Sequence, residues 1–474
     1  MIISIGFRMQ GSVSSWRKPC KIMAMIPKKR PENQSSLFFS LEDTLDPRHP
    51  LFILTHRINW AMFNREFSKL YHADNGRPAK PIRLMVGLLI LKHLRDLSDE
   101  SVVEQWSENI YYQYLCGNRE FASCAPCASS ELVHFRHRIG EQGIELILKE
   151  SIRINGDDAN DPNVSVDTTV QEKNITFPTD NKLHRKIIDK CLAIATKHGL
   201  PVRQSYVRTL KKLALEQRFR NHPRNRARAR KADRKVKTIA GRLVRELERN
   251  LSACSPHSKQ LELFKRVLAQ KRSDKNKVYS LHEPATECIS KGKEHKKYEF
   301  GNKVSLVKTT TGVIVGAKGF RNEFDGHTLE PALEQVERLV GRRPAQAAVD
   351  RGYRGSDRKG PTKVLIPKPF GPGLTTYGKN KLRKAHRERA SIEPVIGHLK
   401  TDHRLGRNFY KGITGDNINI MLAAAAFNFK RMMNKWKVAL GLLFQRLLLC
   451  VIGYRTFRIT VLFSQGNMYG LFKA

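Results

Sequence analysis

Three carboxylates in this chain stand where metal chemistry is possible. Val164, Val166, Thr168 and Val170 alternate with Ser165, Asp167 and Thr169, the period of a strand, which puts Asp167 on the face opposite the valines. Ala345 to Val349 is a short apolar run of buried-strand type, ending on Asp350 ahead of the turn Arg351-Gly352-Tyr353. Glu393 opens helix-compatible sequence 43 residues later. Carboxylates at strand ends and one on a packed helix can converge at one edge of a sheet. Oxygen ligands of this kind suit Mg2+, a hard cation, with Mn2+ as a substitute. Two such ions about 4 Å apart activate an attacking oxygen and stabilise a leaving one, which is phosphoryl-transfer chemistry. Asp167, Asp350 and Glu393 are therefore the candidate catalytic and metal-binding residues. Each also has a plainer explanation: a solvent-face strand residue, a turn starter, and an i,i+4 partner of Arg389.

Cations surround the third carboxylate. His386, Arg389, Glu393 and Lys400 fall at offsets 0, 3, 7 and 14. On one continuous helix they would share a face, suited to phosphate. Pro394 should kink or start the helix, so Glu393 and Lys400 are the safer pair, and His386 the less secure member.

The whole chain is basic. Its 474 residues hold 86 Lys+Arg against 44 Asp+Glu, a net charge of +42, and the partner this implies is nucleic acid. From Pro201 to Ala240 there are 14 Lys/Arg and two acids, peaking at Arg224 to Lys231. Arg226, Arg228 and Arg230 are candidate DNA-binding residues within it. Eight irregularly spaced cysteines suit a reducing compartment. Cys124 and Cys127, with Cys116, His134 and His137 nearby, lack the repeated pair of a zinc site. Val438 to Gly453 is apolar but broken by Gln445 and Arg446, short of a spanning helix, so no membrane partner is expected. The expected location is cytoplasmic, with the nucleoid.

The elements that must position these residues divide the chain. Residues 1–45 read as a poorly ordered lead-in. Residues 46–150 read as an all-helical, DNA-binding domain: Ile82 to Leu97 has helical spacing, Ser98 caps the next helix, and Ser129 or Ser130 caps Leu132 to Ile139, stopped by Gly140. Arg136 and Arg138 lie on that last helix, which is either a DNA reader or one member of a structural bundle. Residues 160–180 and 277–436 make the catalytic domain. Within it, Glu299 to Lys308 and Gly312 to Phe320 form a hairpin, Thr328 caps a helix over Leu329 to Val340, and Leu382 to Lys400 and Ile418 to Trp436 are helical. Residues 181–276 are a basic helical insertion whose stripe Val236, Ala240, Leu243 and Leu247 packs on Leu210, Leu213 or Leu263. Residues 437–474 form an atypical tail. The expected fold class is α/β, a mixed sheet with flanking helices.

Val166-Asp167-Thr168-Thr169, Val349-Asp350-Arg351-Gly352-Tyr353-Arg354-Gly355, and Arg389, Glu393 and Lys400 at their spacing together resemble the DDE transposases of bacterial insertion sequences, in the insertion-sequence-four and -five superfamilies. Phe135-Arg136-His137-Arg138-Ile139-Gly140 resembles that family's N-terminal domain. His386 stands where the family usually has Tyr. The resemblance implies a ribonuclease-H-like catalytic domain and divalent metal. It implies cut-and-paste transfer between terminal inverted repeats and target DNA by a homodimer or larger assembly. It further implies that Asp167 bridges both ions, that Glu393 holds the second, and that Arg389 and Lys400 contact DNA near the scissile phosphate. Asp325-Gly326-His327 is similar to a short family motif and reads first as a turn before a helix. The alternative is a catalytically inactive or co-opted element protein that only binds DNA.

Overall fold

The computed structural model describes residues 24–25, 40–72, 76–251, 256–271, 273–290, 297–321, 323–354, 360–367 and 375–439, except the side chains of 24, 25, 381, 382, 385 and 386. The tail from 440 and most of the lead-in lie outside the described residues. The rest falls into two units, one holding 40–92 and 97–139, the other 93–96 and 140–439.

In the first unit a short parallel pair, β1 (Ala24–Met25) and β2 (Arg77–Pro78), accompanies helices. These are α1 (Leu41–Thr44), α2 (Pro50–Arg57), α3 (Trp60–Ser68), α4 (Ile82–Leu94), α5 (Asp99–Glu108), α6 (Ile110–Leu115) and the first part of α7 (Ser129–Ile154). Ser98 caps α5, its Oγ accepting from the Ser101 N–H at 3.0 Å, as its residue type predicts. Gly140, at φ 59°, interrupts α7; the chain then resumes as helix.

The second unit is mixed α/β. Its strands are β3 (Asn163–Lys173), β4 (Glu287–Ser290), β5 (Tyr298–Thr309), β6 (Ile314–Phe320), β7 (Gln346–Ala348), β8 (Lys363–Leu365) and β9 (Arg407–Asn408). The sheet runs β4-β5-β3-β7-β8, with β6 also on β5 and β9 also on β3. β3 is antiparallel to β5 and parallel to β7 and β9. Paired with β5 on one edge and with β7 and β9 on the other, it is the centre of the sheet. The helices α12 (Asp325–Val340), α13 (Thr376–Ala390), α14 (Ile392–Asp402) and one over 412–439 belong to the same unit.

Two expected helices differ. α12 starts at Asp325, not after Thr328, because Phe324 is extended (φ −74°, ψ 155°) and Thr328 turns its hydroxyl back to the Asp325 carbonyl at 2.8 Å. The stretch Leu382 to Lys400 is two helices meeting at Ser391. Pro394 falls in the first turn of α14, where its missing N–H costs no helical bond.

Between β3 and β4 come α8 (Asp180–Lys197), α9 (Val207–Glu216), α10 (Pro223–Asn250) and α11 (Ser258–Ala269). They share a core in which Val236, Ala240, Leu243 and Leu247 meet Leu213, Ile187 and Phe264, with Leu210 and Leu263 at its margin. Burial of a Val or Leu contributes about 1.5–3 kcal/mol. Repulsion between like charges at i,i+4 costs about 0.2–0.5 kcal/mol a pair. The apolar side therefore holds α10 helical against its own charge. Among the described residues no helix is long and apolar enough to cross a membrane.

Candidate active site

Parallel pairing brings the first two carboxylates level. Ser165 of β3 stands beside Ala348 of β7, and each strand continues with Val and then Asp. Two steps past the shared register, Asp167 and Asp350 arrive abreast. The Thr168 N–H donates to Asp167 Oδ1 at 2.8 Å. Asp350 caps the short 3-10 turn Arg351–Tyr353, its Oδ1 accepting from the Arg351 N–H at 2.6 Å. The turn role foreseen for Asp350 thus coexists with its place at the strand end.

Arg389 comes from the end of α13 and Glu393 from the start of α14. Arg389 Nη2 lies 3.2 Å from Glu393 Oε1, while Nη1 lies 3.8 Å from Asp167 Oδ2 and 4.0 Å from Asp350 Oδ2. One guanidinium therefore faces three carboxylates drawn from three distant parts of the chain. The plain i,i+4 pairing of Arg389 with Glu393 is present, and it is one arm of this larger contact. Asp167 is 17 % exposed, Asp350 54 % and Glu393 64 %, so of the three only the carboxylate inside β3 is enclosed. Among the described residues no three His, Cys, Asp or Glu side chains stand close enough to hold one metal ion together. The guanidinium lies among the three carboxylates.

Two supports stand behind this contact: Lys308, missed from sequence, and Asp325, expected first as part of a turn before a helix. Lys308, buried on β5, donates to Ser391 Oγ at 2.6 Å and so ties the α13–α14 joint to the sheet. Burial holds its ammonium below the usual lysine range. The signal available was a lysine in a strand run otherwise free of charge, Val304 to Thr309. Asp325 is the second. Its Oδ1 accepts from Thr168 Oγ1 at 3.0 Å and pairs with Lys303 Nζ at 3.0 Å. A Cβ on Gly352 would come within 3.1 Å of Asp325 Oδ2, so glycine lets the turn after Asp350 sit against this carboxylate. Tyr353 follows, buried; burial first, then the charges of Asp325 and Asp167, push its phenol above the usual range.

The expected DNA-contacting residues have different fates. Lys400 lies half-buried on α14, about two turns beyond Glu393. His386 is on α13, and its side chain lies outside those described. Arg226, Arg228 and Arg230 are exposed on α10. Arg138 stacks over the Tyr71 ring at 4.4 Å. Arg136 is buried, 5 % exposed, and bonds both oxygens of Asp99 at 2.6 and 2.7 Å. It is part of the interior of its unit and not the surface cation its neighbours in sequence suggest.

Comparison with known proteins adds the following. The family described as Transposase domain (DUF772) matches residues 39–138, and the family described as Transposase DDE domain matches 375–433, which includes Arg389, Glu393 and Lys400. The chain is 41 % identical over 206 residues to the uncharacterized protein ORF8 in the nfe locus of Rhizobium meliloti, covering 42 % of this chain and 99 % of that protein. No solved structure matches.

Proposed function

The chain belongs to the insertion-sequence DDE transposases, and from that premise we propose that it cuts and joins insertion-sequence ends by two-metal phosphoryl transfer at Asp167, Asp350 and Glu393. The observation that carries this is the meeting of all three carboxylates on Arg389, each within 4.0 Å of its guanidinium. The mixed sheet centred on β3 is read as ribonuclease-H-like.

The donor set fits a hard divalent cation. All three groups are carboxylates, and Asp350 and Glu393 are more than half exposed, so their side chains can turn toward an ion. Mg2+ held there would supply the charge that makes an attacking oxygen more nucleophilic and a leaving oxygen more stable. The protein's own residues do the rest. Asp167 is fixed through its backbone in the central strand and through Thr168, which Asp325 holds. Lys308 fixes the joint from which Arg389 and Glu393 project. Arg389 is placed to meet the negative charge of a phosphate lying against the carboxylates. Water cleaves the strand at the element end and leaves a 3′-OH, which attacks a target phosphodiester in line, one P–O bond forming as another breaks. The partners proposed are terminal inverted repeats and target duplex, with the protein acting as a homodimer or larger assembly at the nucleoid.

Asp167→Asn, Asp350→Asn and Glu393→Gln should each lower Mg2+-dependent strand cleavage by more than about a hundredfold, beyond the loss usual for a ligand's supporting partner. Affinity for the same duplex should persist. Cleavage retained in any one of the three would remove that residue from the site. No cleavage by the unaltered protein on its own element ends would favour the co-opted, DNA-binding alternative.

A further inference from the structure

α10 has two unlike sides along its 28 residues, about 42 Å of helix. One side is the buried core of the insertion. The other carries Arg224, Arg228, Lys231, Lys235, Arg242 and Arg249 at steps of 4, 3, 4, 7 and 7, a spacing that keeps them in one line along the helix. Arg226, Arg230 and Arg234 make a second line about 120° round the helix from it, on the other flank of the buried stripe. All nine are exposed.

The helix's own acids do not neutralise these rows. Asp233 accepts from Gln217 at 2.8 Å and pairs with Arg220. Glu246 accepts from the Arg203 N–H at 2.7 Å, and Glu248 pairs with Lys265. Among the described residues, none of the nine row cations makes an ion pair. Three arginines crowd the first two turns, and the first turn holds no acid, so these charges oppose the helix dipole. Such a row is costly for the fold alone and favourable against a polyanion.

We propose that this face of α10 docks the phosphate backbone of double-stranded DNA, independently of base sequence and apart from the carboxylate site. The inference takes its partner from the proposed function and its surface from α10. A straight row some 40 Å long matches a stiff duplex with a charge about every 1.7 Å. Arginine forks suit phosphate oxygens. Single strands are bound by aromatic stacking, and α10 contains no aromatic residue.

The test is fluorescence anisotropy of the full chain on a labelled random-sequence duplex, with metal chelated, across a salt series. The combined variant Arg224→Gln, Arg228→Gln, Lys231→Gln and Lys235→Gln should reduce the slope of log K against log salt by about 3 to 4, close to 0.9 per phosphate contact. Glutamine is a good helix former, and circular dichroism checks that α10 persists. A comparator with the same charge change, Arg48→Gln, Arg65→Gln, Arg153→Gln and Arg338→Gln, removes exposed cations elsewhere and should leave most of the slope. Equal slopes for the two variants would overturn the proposal. So would a row variant that keeps its DNA slope and loses binding only to phosphatidylserine vesicles. Mg2+-dependent cleavage by Asp167→Asn, measured separately, tests the carboxylate assignment. If that variant still cleaves while the row variant loses slope, the carboxylate assignment falls and the docking face stands.

Discussion

Two arginine-rich stretches look alike in sequence and are opposites in the folded protein. Arg136 is buried and bonded to both oxygens of Asp99, which also accepts from Lys92 at 2.8 Å. Burial alone would raise the Asp99 pKa, but the Arg136 bonds and the Lys92 charge outweigh it, and the carboxyl is held below its usual range. Arg226, Arg228 and Arg230 point outward from α10 with no ion pair among the described residues. The difference lies in the partner. Asp99 is 37 residues from Arg136 and arrives through folding, whereas the acids of α10 are claimed by Gln217, Arg220, Arg203 and Lys265. Local charge density does not tell a structural cation from a docking one; the fate of the nearby carboxylates does.

The comparison breaks most visibly at Asp99. Asp99→Ala removes the carboxylate that Arg136 and Lys92, 5 % and 3 % exposed, both bond. Removing one partner of a buried ion pair costs about 3–5 kcal/mol. Urea unfolding followed by tryptophan fluorescence should show that loss. Arg136→Leu should cost less, because Asp99 keeps Lys92. If both variants unfold like the unaltered protein, Arg136 is no more structural than the arginines of α10.

What was legible in sequence follows the same division between local and distant causes. The alternation around Asp167, the hairpin over 298–320 and the stripe on α10 are local patterns, and each appears in the structure where expected. The break at Ser391 was half legible, since Pro394 announced a helix start near it. The Lys308 bond to Ser391 and the Asp325 bond to Thr168 span 83 and 157 residues, and no periodicity carries such pairings. The convergence on Arg389 depends on the β3–β7 register, which two Val-Asp pairs, one inside β3 and one just past β7, do not by themselves align.

A second test probes the buried side of the insertion, where charge is excluded and not displayed. His184 of α8 is 7 % exposed, and burial holds its pKa below 6.5; Lys237 lowers it further, while Asp180 and Asp233 oppose. The unfolded chain therefore takes up this proton first. The stability His184 contributes is complete above about pH 6.5 and is lost as pH falls through the depressed folded value. Urea midpoints measured between about pH 5 and 8 should decline on the acid side, and His184→Leu should flatten that decline. An unchanged slope in the variant would assign the acid sensitivity elsewhere.

The smallest effect is the most discriminating. Arg228→Gln alone removes like-charge repulsion with Arg224 and leaves every buried contact of α10 intact. Its effect on stability should lie within about 0.5 kcal/mol and lean toward stabilisation. A cation held for the fold would cost stability when removed, as Arg136 should. A cation held for a partner releases strain in the free protein and weakens only the complex. Arg228→Gln therefore has to raise or preserve the urea midpoint while reducing the salt slope of DNA binding by about 1. A drop in midpoint of the Asp99→Ala kind would place Arg228 with Arg136 and erase the contrast between the two stretches.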